Sequence, residues 1–123
     1  MIRIVGVQRS ESAEREFVLL QNQGSLRAAL RGHMLVADEA LRTGDVLRGS
    51  HLFTDDVLVP AGMYVILISG AGTPRWGKTR DGAHVYHVYM NQTRPLWSRC
   101  DLPLHLLHTQ HSYSERTEGL LMR

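Results

Sequence analysis

The sequence predicts an all-β domain of the sandwich or barrel kind, and three observations carry that prediction. Short runs of apolar, β-branched and aromatic residues recur at roughly 8–15 residue spacings, separated by Gly, Asn, Asp and Pro turns. The densest run, His51 to Thr73, is bracketed by Pro60-Ala61-Gly62 and Gly70-Ala71-Gly72. The 123 residues suffice for one hydrophobic core without covalent staples.

Met63 to Ser69 reads as the central strand, too short for a buried helix, with Tyr64, Ile66 and Ile68 on one side and Met63, Val65 and Leu67 on the other. A strand apolar on both sides needs cover on both. Ahead of it, Ile2 to Val7 alternates apolar residues with charge and predicts a first strand near a sheet edge. Gln8 to Arg15 reads as a connecting turn, Glu16 to Gln21 as the second strand, and Asn22 to Ser25 as the turn that closes it. Leu26 to Arg31 contains helix formers and is ambiguous, whereas His33 to Ala37 suits a third strand. The polar segment Asp38 to Ser50, with Gly44-Asp45 and Gly49-Ser50, is expected to be loop. A short strand follows at His51 to Thr54, and Val57 to Val59 leads into the central strand. Thr73 to Ala83 reads as a long polar loop, His84 to Met90 as a strand, and Asn91 to Arg99 as an irregular connection. Leu102 to Leu107 and Gln110 to Ser114 are expected to be closing strands, with Pro103 at an edge or bulge. The domain is placed at 1–114 and a loose tail at 115–123.

Four of these segments together resemble the lamin-tail domain. Glu16-Phe17-Val18-Leu19-Leu20-Gln21-Asn22 is similar to that family's E-aromatic-V-x-L-x-N strand and turn. Leu30 to Asp38 is similar to its L-x-G-W-x-L-x-D step, with His33 standing where an aromatic is usual. Phe53 with Val59-Pro60-Ala61-Gly62 and Met63 to Leu67 resembles the family's F…L-x-P-G-x-x-V-x-I, one residue longer between Pro and Gly. Trp97, Leu104 and Tyr113 complete the likeness. The resemblance implies an immunoglobulin-like β-sandwich of two mostly antiparallel sheets, with Val18 and Leu20 facing inward and no helix at Leu26 to Arg31. It also implies a binding or scaffolding module, and it carries no catalytic residues across. Replacing an aromatic by His33 removes apolar volume, so that either a neighbour such as Met34 or Tyr64 fills in or the site is partly open.

The net charge of +2 is slight, although 13 of the 14 basic residues are arginine. Diffuse charge of this size does not by itself specify a polyanion partner. A single cysteine, Cys100, excludes an intrachain disulfide. No run of 18 apolar residues marks a membrane span, and MIRIVGVQRS lacks the apolar region of a secretory signal. No compartment follows from these features.

Seven histidines raise the question of a metal. Residues three apart on a strand point to opposite faces, so neither His84 with His87 nor His105 with His108 shares an ion unless a bulge or turn intervenes. The converging ligand sets of zinc sites, H-E-x-x-H or paired cysteines, are missing from the sequence, and no metal or cofactor is expected. Cys100-Asp101 has no local helix to activate a thiol, and there is no G-x-S-x-G elbow. Gly70-Ala71-Gly72-Thr73 lacks the G-K-[ST] ending of a phosphate loop. The chain is accordingly read as non-enzymatic.

The sharpest local signal is Arg75-Trp76-Gly77-Lys78-Thr79-Arg80, three positive charges and an indole in six residues. An exposed loop of this kind can stack a planar group on Trp76 while Arg75, Lys78 and Arg80 grip phosphates or carboxylates. The plainer alternative is Trp76 packed back on the domain with solvated charges around it. Arg94 and Arg99, near Trp97, enlarge the patch if the two loops meet at one end of the sandwich. The expectation is a module that engages a protein partner, or a second copy, through strand edges or end loops. Surplus apolar strand faces at Leu19 and at Met63, Val65 and Leu67 suggest self-association. Nucleic-acid or anionic-glycan binding through residues 75–80 is the alternative.

Overall fold

The computed structural model describes residues 1–46, 49–98 and 103–109. Its elements run β1 (Ile2–Gln8), β2 (Phe17–Asn22), β3 (Ala28–Ala29), β4 (His33–Ala37), α1 (Asp38–Thr43), β5 (His51–Leu52), β6 (Leu58–Val59), β7 (Tyr64–Ile68), β8 (Arg75–Lys78), β9 (His84–Tyr89) and β10 (Leu104–His108). A five-stranded sheet has the order β1-β2-β7-β9-β8, a three-stranded sheet the order β10-β4-β5, and β3 pairs with β6. The fold is an all-β sandwich. Every described pairing is antiparallel except β7 with β9, which run parallel.

The core lies between the sheets. From the large sheet come Ile2, Val18, Leu20, Val65, Leu67, Tyr86 and Val88; Leu35 and Leu104 oppose them, with Leu30, Phe53, Val59 and Trp97 filling between. Val18 and Leu20 are fully buried, which is the inward phase expected for β2. Val65 and Leu67 are also fully buried and therefore are not a surplus face, contrary to expectation. The surplus lies on the opposite side of the sheet. There the register sets Phe17 beside Ile68 and Tyr89, Leu19 beside Ile66 and His87, and Gln21 beside Tyr64 and Val85. Gln8, Arg3 and Arg75 rim this grid.

Two segments read as loop are regular structure. Asp38–Thr43 is a helix, with Asp38 and Glu39 in its first turn, Arg42 in its last, and Gly44 at φ 79 receiving the chain. An Asp38–Arg42 ion pair at 3.1 Å spans one turn. Its polar residues, taken as loop composition, are the solvent side of a helix whose Ala40 is buried, and α1 packs against β4. Residues 75–78 are a strand, for reasons given below. Leu26 to Arg31 forms no helix; its middle is the two-residue strand β3. The closing strand runs over Leu104–His108, while the strand expected at Gln110 to Ser114, Tyr113 and the tail 115–123 lie outside the described residues.

Both ends of β2 are fixed by buried polar side chains. Glu16 is fully buried, and its Oε1 accepts from Ser69 Oγ (2.7 Å) and the Leu96 N–H (2.7 Å) while Oε2 accepts from the Trp97 N–H (3.1 Å). At the far end, the buried Asn22 side chain donates to the carbonyls of Leu26 (2.8 Å) and Val59 (2.9 Å) and accepts from the Gly24 N–H (3.0 Å) and the Met1 nitrogen (2.9 Å). Trp97, so oriented, places its indole in the core and donates to the Gly49 carbonyl at 3.1 Å.

Truncating Glu16 leaves three donors in a dry site, each costing about 1–3 kcal/mol. Glu16→Ala is expected to lower unfolding stability in urea by about 3 kcal/mol or more. Gln23→Ala, at an exposed position, is expected to change it by less than about 0.5 kcal/mol.

Candidate functional site

β8 is a strand because it is one arm of a hairpin. Thr79 donates its N–H to the Ala83 carbonyl (2.9 Å), Gly82 donates to the Thr79 carbonyl (3.0 Å), and Gly82 has φ 84. This is the three-residue loop ending in a left-handed glycine that joins antiparallel strands. The register then sets Arg75 beside His87, Trp76 beside Tyr86, Gly77 beside Val85 and Lys78 beside His84.

Strand geometry divides the basic-aromatic cluster between two faces. Trp76 and Lys78 lie on the core side of the sheet, at its margin, and Arg75 lies on the outer side. Trp76 leans on Tyr86, ring centroids 5.2 Å apart, and meets the edge of His84 at 6.3 Å, yet 43% of it remains exposed. Both readings of this indole are thus partly realised: it packs back and still presents a face. Beneath it the Tyr86 hydroxyl donates to Asp55 Oδ2 at 2.8 Å. Burial, then the hydrogen bond and negative charge of Asp55, push the Tyr86 hydroxyl up to about 12, so it remains a donor throughout the neutral range.

The tip, not the ends of the sheet, carries Arg80; Arg75 lies at the other end of the strand. Arg94 is exposed in the segment after β9. Its loop does meet the loop before β8, because Asn91, at φ 56, donates its N–H to the Gly70 carbonyl (3.0 Å) and accepts from the Gly72 N–H (3.1 Å). Arg94 therefore shares an end with Arg75, while Lys78 and Arg80 occupy the opposite end. Arg99 lies outside the described residues. Trp97 belongs to the core and adds no indole to this surface. Among the described residues, Arg75, Lys78 and Arg80 form no ion pair.

The histidines are distributed as strand alternation requires. His105 meets Asp38 Oδ1 at 2.8 Å, whereas His108 lies on the other face of β10 and stacks on His33, centroids 4.0 Å apart and planes within 4°. Among the described residues no three His, Cys, Asp or Glu side chains gather in a group able to hold a metal ion; His111 and Cys100 lie outside them. The place where the resemblance puts an aromatic is filled by this imidazole pair, not by Met34 or Tyr64. His33 is buried, and its Nδ1–H donates to the Leu30 carbonyl at 3.0 Å.

Compared with models of known protein families and with curated proteins, the chain matches none. Ser69 and Glu16, a hydroxyl against a carboxylate, are both fully buried and meet no solvent-borne substrate. No described helix is long and apolar enough to cross a membrane. What the described surface offers is an exposed strand with one unpaired edge, a ledge of Trp76 on Tyr86, and free cations on both faces.

The Asp81-Gly82 pair between two alternating stretches was the sequence signal for this hairpin, and with it for Tyr86 under Trp76. The Tyr86–Asp55 bond had no such signal, since it joins residues 31 apart across the sandwich.

Burial lowers the His33 proton affinity, opposed by the Leu30 hydrogen bond and aided by His108; burial also lowers that of His51, opposed by Asp55. Both rings titrate in the unfolded chain near 6.5 and lower when folded, so the unfolded chain binds more protons between those limits. Stability is retained above about pH 6.5 and lost as pH falls below it. The melting temperature is expected to drop between pH 7 and pH 5, with a shallower drop in the His33→Phe/His51→Phe variant, measured by circular dichroism.

Proposed function

We propose that this chain is a non-enzymatic, lamin-tail-like binding module that engages a protein partner through the free edge of β8. The observation that carries the reading is that β8 ends the five-stranded sheet, all but Gly77 of it exposed, with pairing on one side only among the described residues. An exposed edge of this sort accepts a further strand, main-chain hydrogen bonds supplying affinity and flanking side chains selectivity. The opposite edge, β1, is less available: its register slips between Ile4 and Gly6, a bulge that bends the strand, and β10 lies against it. The lamin-tail likeness is supported by the inward phase of Val18 and Leu20 and by the anchoring of Glu16 and Asn22, all positions of the resembling strand.

Self-association belongs to the same reading and falls to the outer face, where Leu19, Ile66 and Tyr64 form an uncharged centre inside a rim with Arg3 and Arg75. Binding of nucleic acid or an anionic glycan by Arg75, Trp76, Lys78, Arg80, Arg94 and Arg99 is a second reading, favoured by the exposed indole beside Arg75, Lys78 and Arg80, which form no ion pair among the described residues.

A library of random extended peptides, displayed on phage, tests the first reading. Clones selected on the wild type are expected to lose binding to Lys78→Pro, which removes an edge N–H, and to keep most of it with Leu26→Ser, a change at an exposed apolar residue elsewhere. Clones that bind all three proteins equally would overturn the edge as the docking site. Salt-sensitive binding of single-stranded DNA, lost on neutralising Arg75, Lys78 and Arg80, would instead favour the second reading.

A further inference from the structure

We infer that the partner strand is acidic: an extended segment that adds antiparallel to β8, with carboxylates facing Lys78 and Arg75 and a bulky apolar or aromatic residue facing Trp76. The inference rests on the edge-binding reading above and specifies its ligand.

The backbone sets the register. Thr79 and Ala83 form a hydrogen-bonded pair, and such pairs alternate along an antiparallel ladder. Gly77 with Val85 and Arg75 with His87 are therefore the other bonded pairs, and these residues turn their N–H and C=O groups inward to β9. Trp76 and Lys78 turn theirs outward. An incoming antiparallel strand bonds at these two residues. Numbered in its own direction, its first residue faces Lys78, its second Gly77, its third Trp76.

Side-chain chemistry then selects the occupant. The first and third residues lie on the core-side face, beside the Lys78 ammonium and the Trp76–Tyr86 ledge. A carboxylate at the first and an aromatic at the third fit these neighbours. The second lies on the outer face beside Gly77. A Cβ at Gly77 would lie 3.3 Å from Arg75 Nη1 and 2.9 Å from His87 Cε1, so a cation and an imidazole lean across this position. A carboxylate there meets the guanidinium. Beyond the first residue the turn carries Arg80 and Asp81, whose charges offset one another, so the positive field of the edge comes from Lys78 and Arg75.

The same charges disfavour a second copy at this edge. Pairing β8 with β8 about Gly77 would set Arg75, Lys78 and Arg80 of one chain against those of the other, three cations per strand against the single Asp81 of each turn. Charged edge strands protect against such pairing, and the protection is selective by sign: it repels a basic strand and admits an acidic one.

The experiment uses the whole chain and a ten-residue peptide of Thr and Val carrying Glu-Glu-Tyr at its centre, with Lys-Lys-Tyr and scrambled forms as controls. Binding is followed by Trp76 fluorescence, Trp97 being buried and common to all samples, and by backbone amide shifts in β8. The Glu-Glu-Tyr peptide is expected to bind at least tenfold more tightly than the Lys-Lys-Tyr form and to shift the Trp76 and Lys78 amides most. Lys78→Ala is expected to weaken binding about two- to fivefold, the worth of an exposed ion pair. Lys78→Pro is expected to weaken it at least a further tenfold while unfolding at a temperature near that of Lys78→Ala. Equal binding of the acidic and basic peptides, or equal affinity of the alanine and proline variants, would overturn the inference. So would binding of single-stranded DNA but not the acidic peptide, or a β8-mediated dimer relieved by Lys78→Pro. Edge-dependent clones from the displayed library that lack acids would overturn the acidic partner alone and leave the edge-binding reading standing.

Discussion

The architecture depends on one buried carboxylate. Glu16 sits at the start of β2 and binds Ser69, at the end of β7, together with the backbone of residues 96 and 97. Without those donors a fully buried acid would be strongly unfavourable; without the acid, the N–H groups of an irregular segment would have none of these acceptors. Each side therefore requires the other. The result is that Trp97, far along the chain, enters the core at a fixed angle and closes the end of the sandwich. Asn22 repeats the device at the opposite end of the same strand with four neutral or amine contacts.

Much of the strand layout was legible because short apolar runs between turn residues mark strands locally. Which face is core was not: the pattern of Glu16 to Gln21 leaves its phase open, with the lamin-tail resemblance implying Val18 and Leu20 inward, and Met63 to Ile68 is apolar on both sides, so only the paired sheet reveals Val65 and Leu67 as buried. The sequence misleads where polar composition reads as loop. Asp38 to Thr43 is polar because a short helix turns most of its surface to water, and Arg75 to Lys78 is polar because an edge strand at the margin of a sheet buries little. In both cases the hydrogen-bond pattern, not the hydropathy, decides the element. The three-residue hairpin at Asp81-Gly82 was visible in principle; the parallel pairing of β7 with β9 was not, since it depends on the whole sheet order.

The candidate site was legible in composition and not in arrangement. Six consecutive residues looked like a single basic loop around an indole. Strand geometry instead sends Arg75 to one face and Trp76 with Lys78 to the other, removes Trp97 to the core, and separates Arg94 from Arg80 by the length of a strand. A phosphate-gripping cluster needs cations converging on one point, whereas these are laid out along an edge, at intervals that suit an extended chain. The stacked pair of His33 and His108 was equally hidden, because it joins two strands distant in sequence.

The position of β8 has a further consequence. In the chain it lies between two parallel neighbours, β7 and β9, but in space it lies outside them, so the hairpin turn, exposed from Thr79 to Gly82, sits at the margin of the sheet. Extra residues placed in that turn would lengthen a protrusion and leave the register of the core strands untouched. The tip is thus a natural graft point, where a reporter or affinity handle can be carried without rebuilding the domain beneath it.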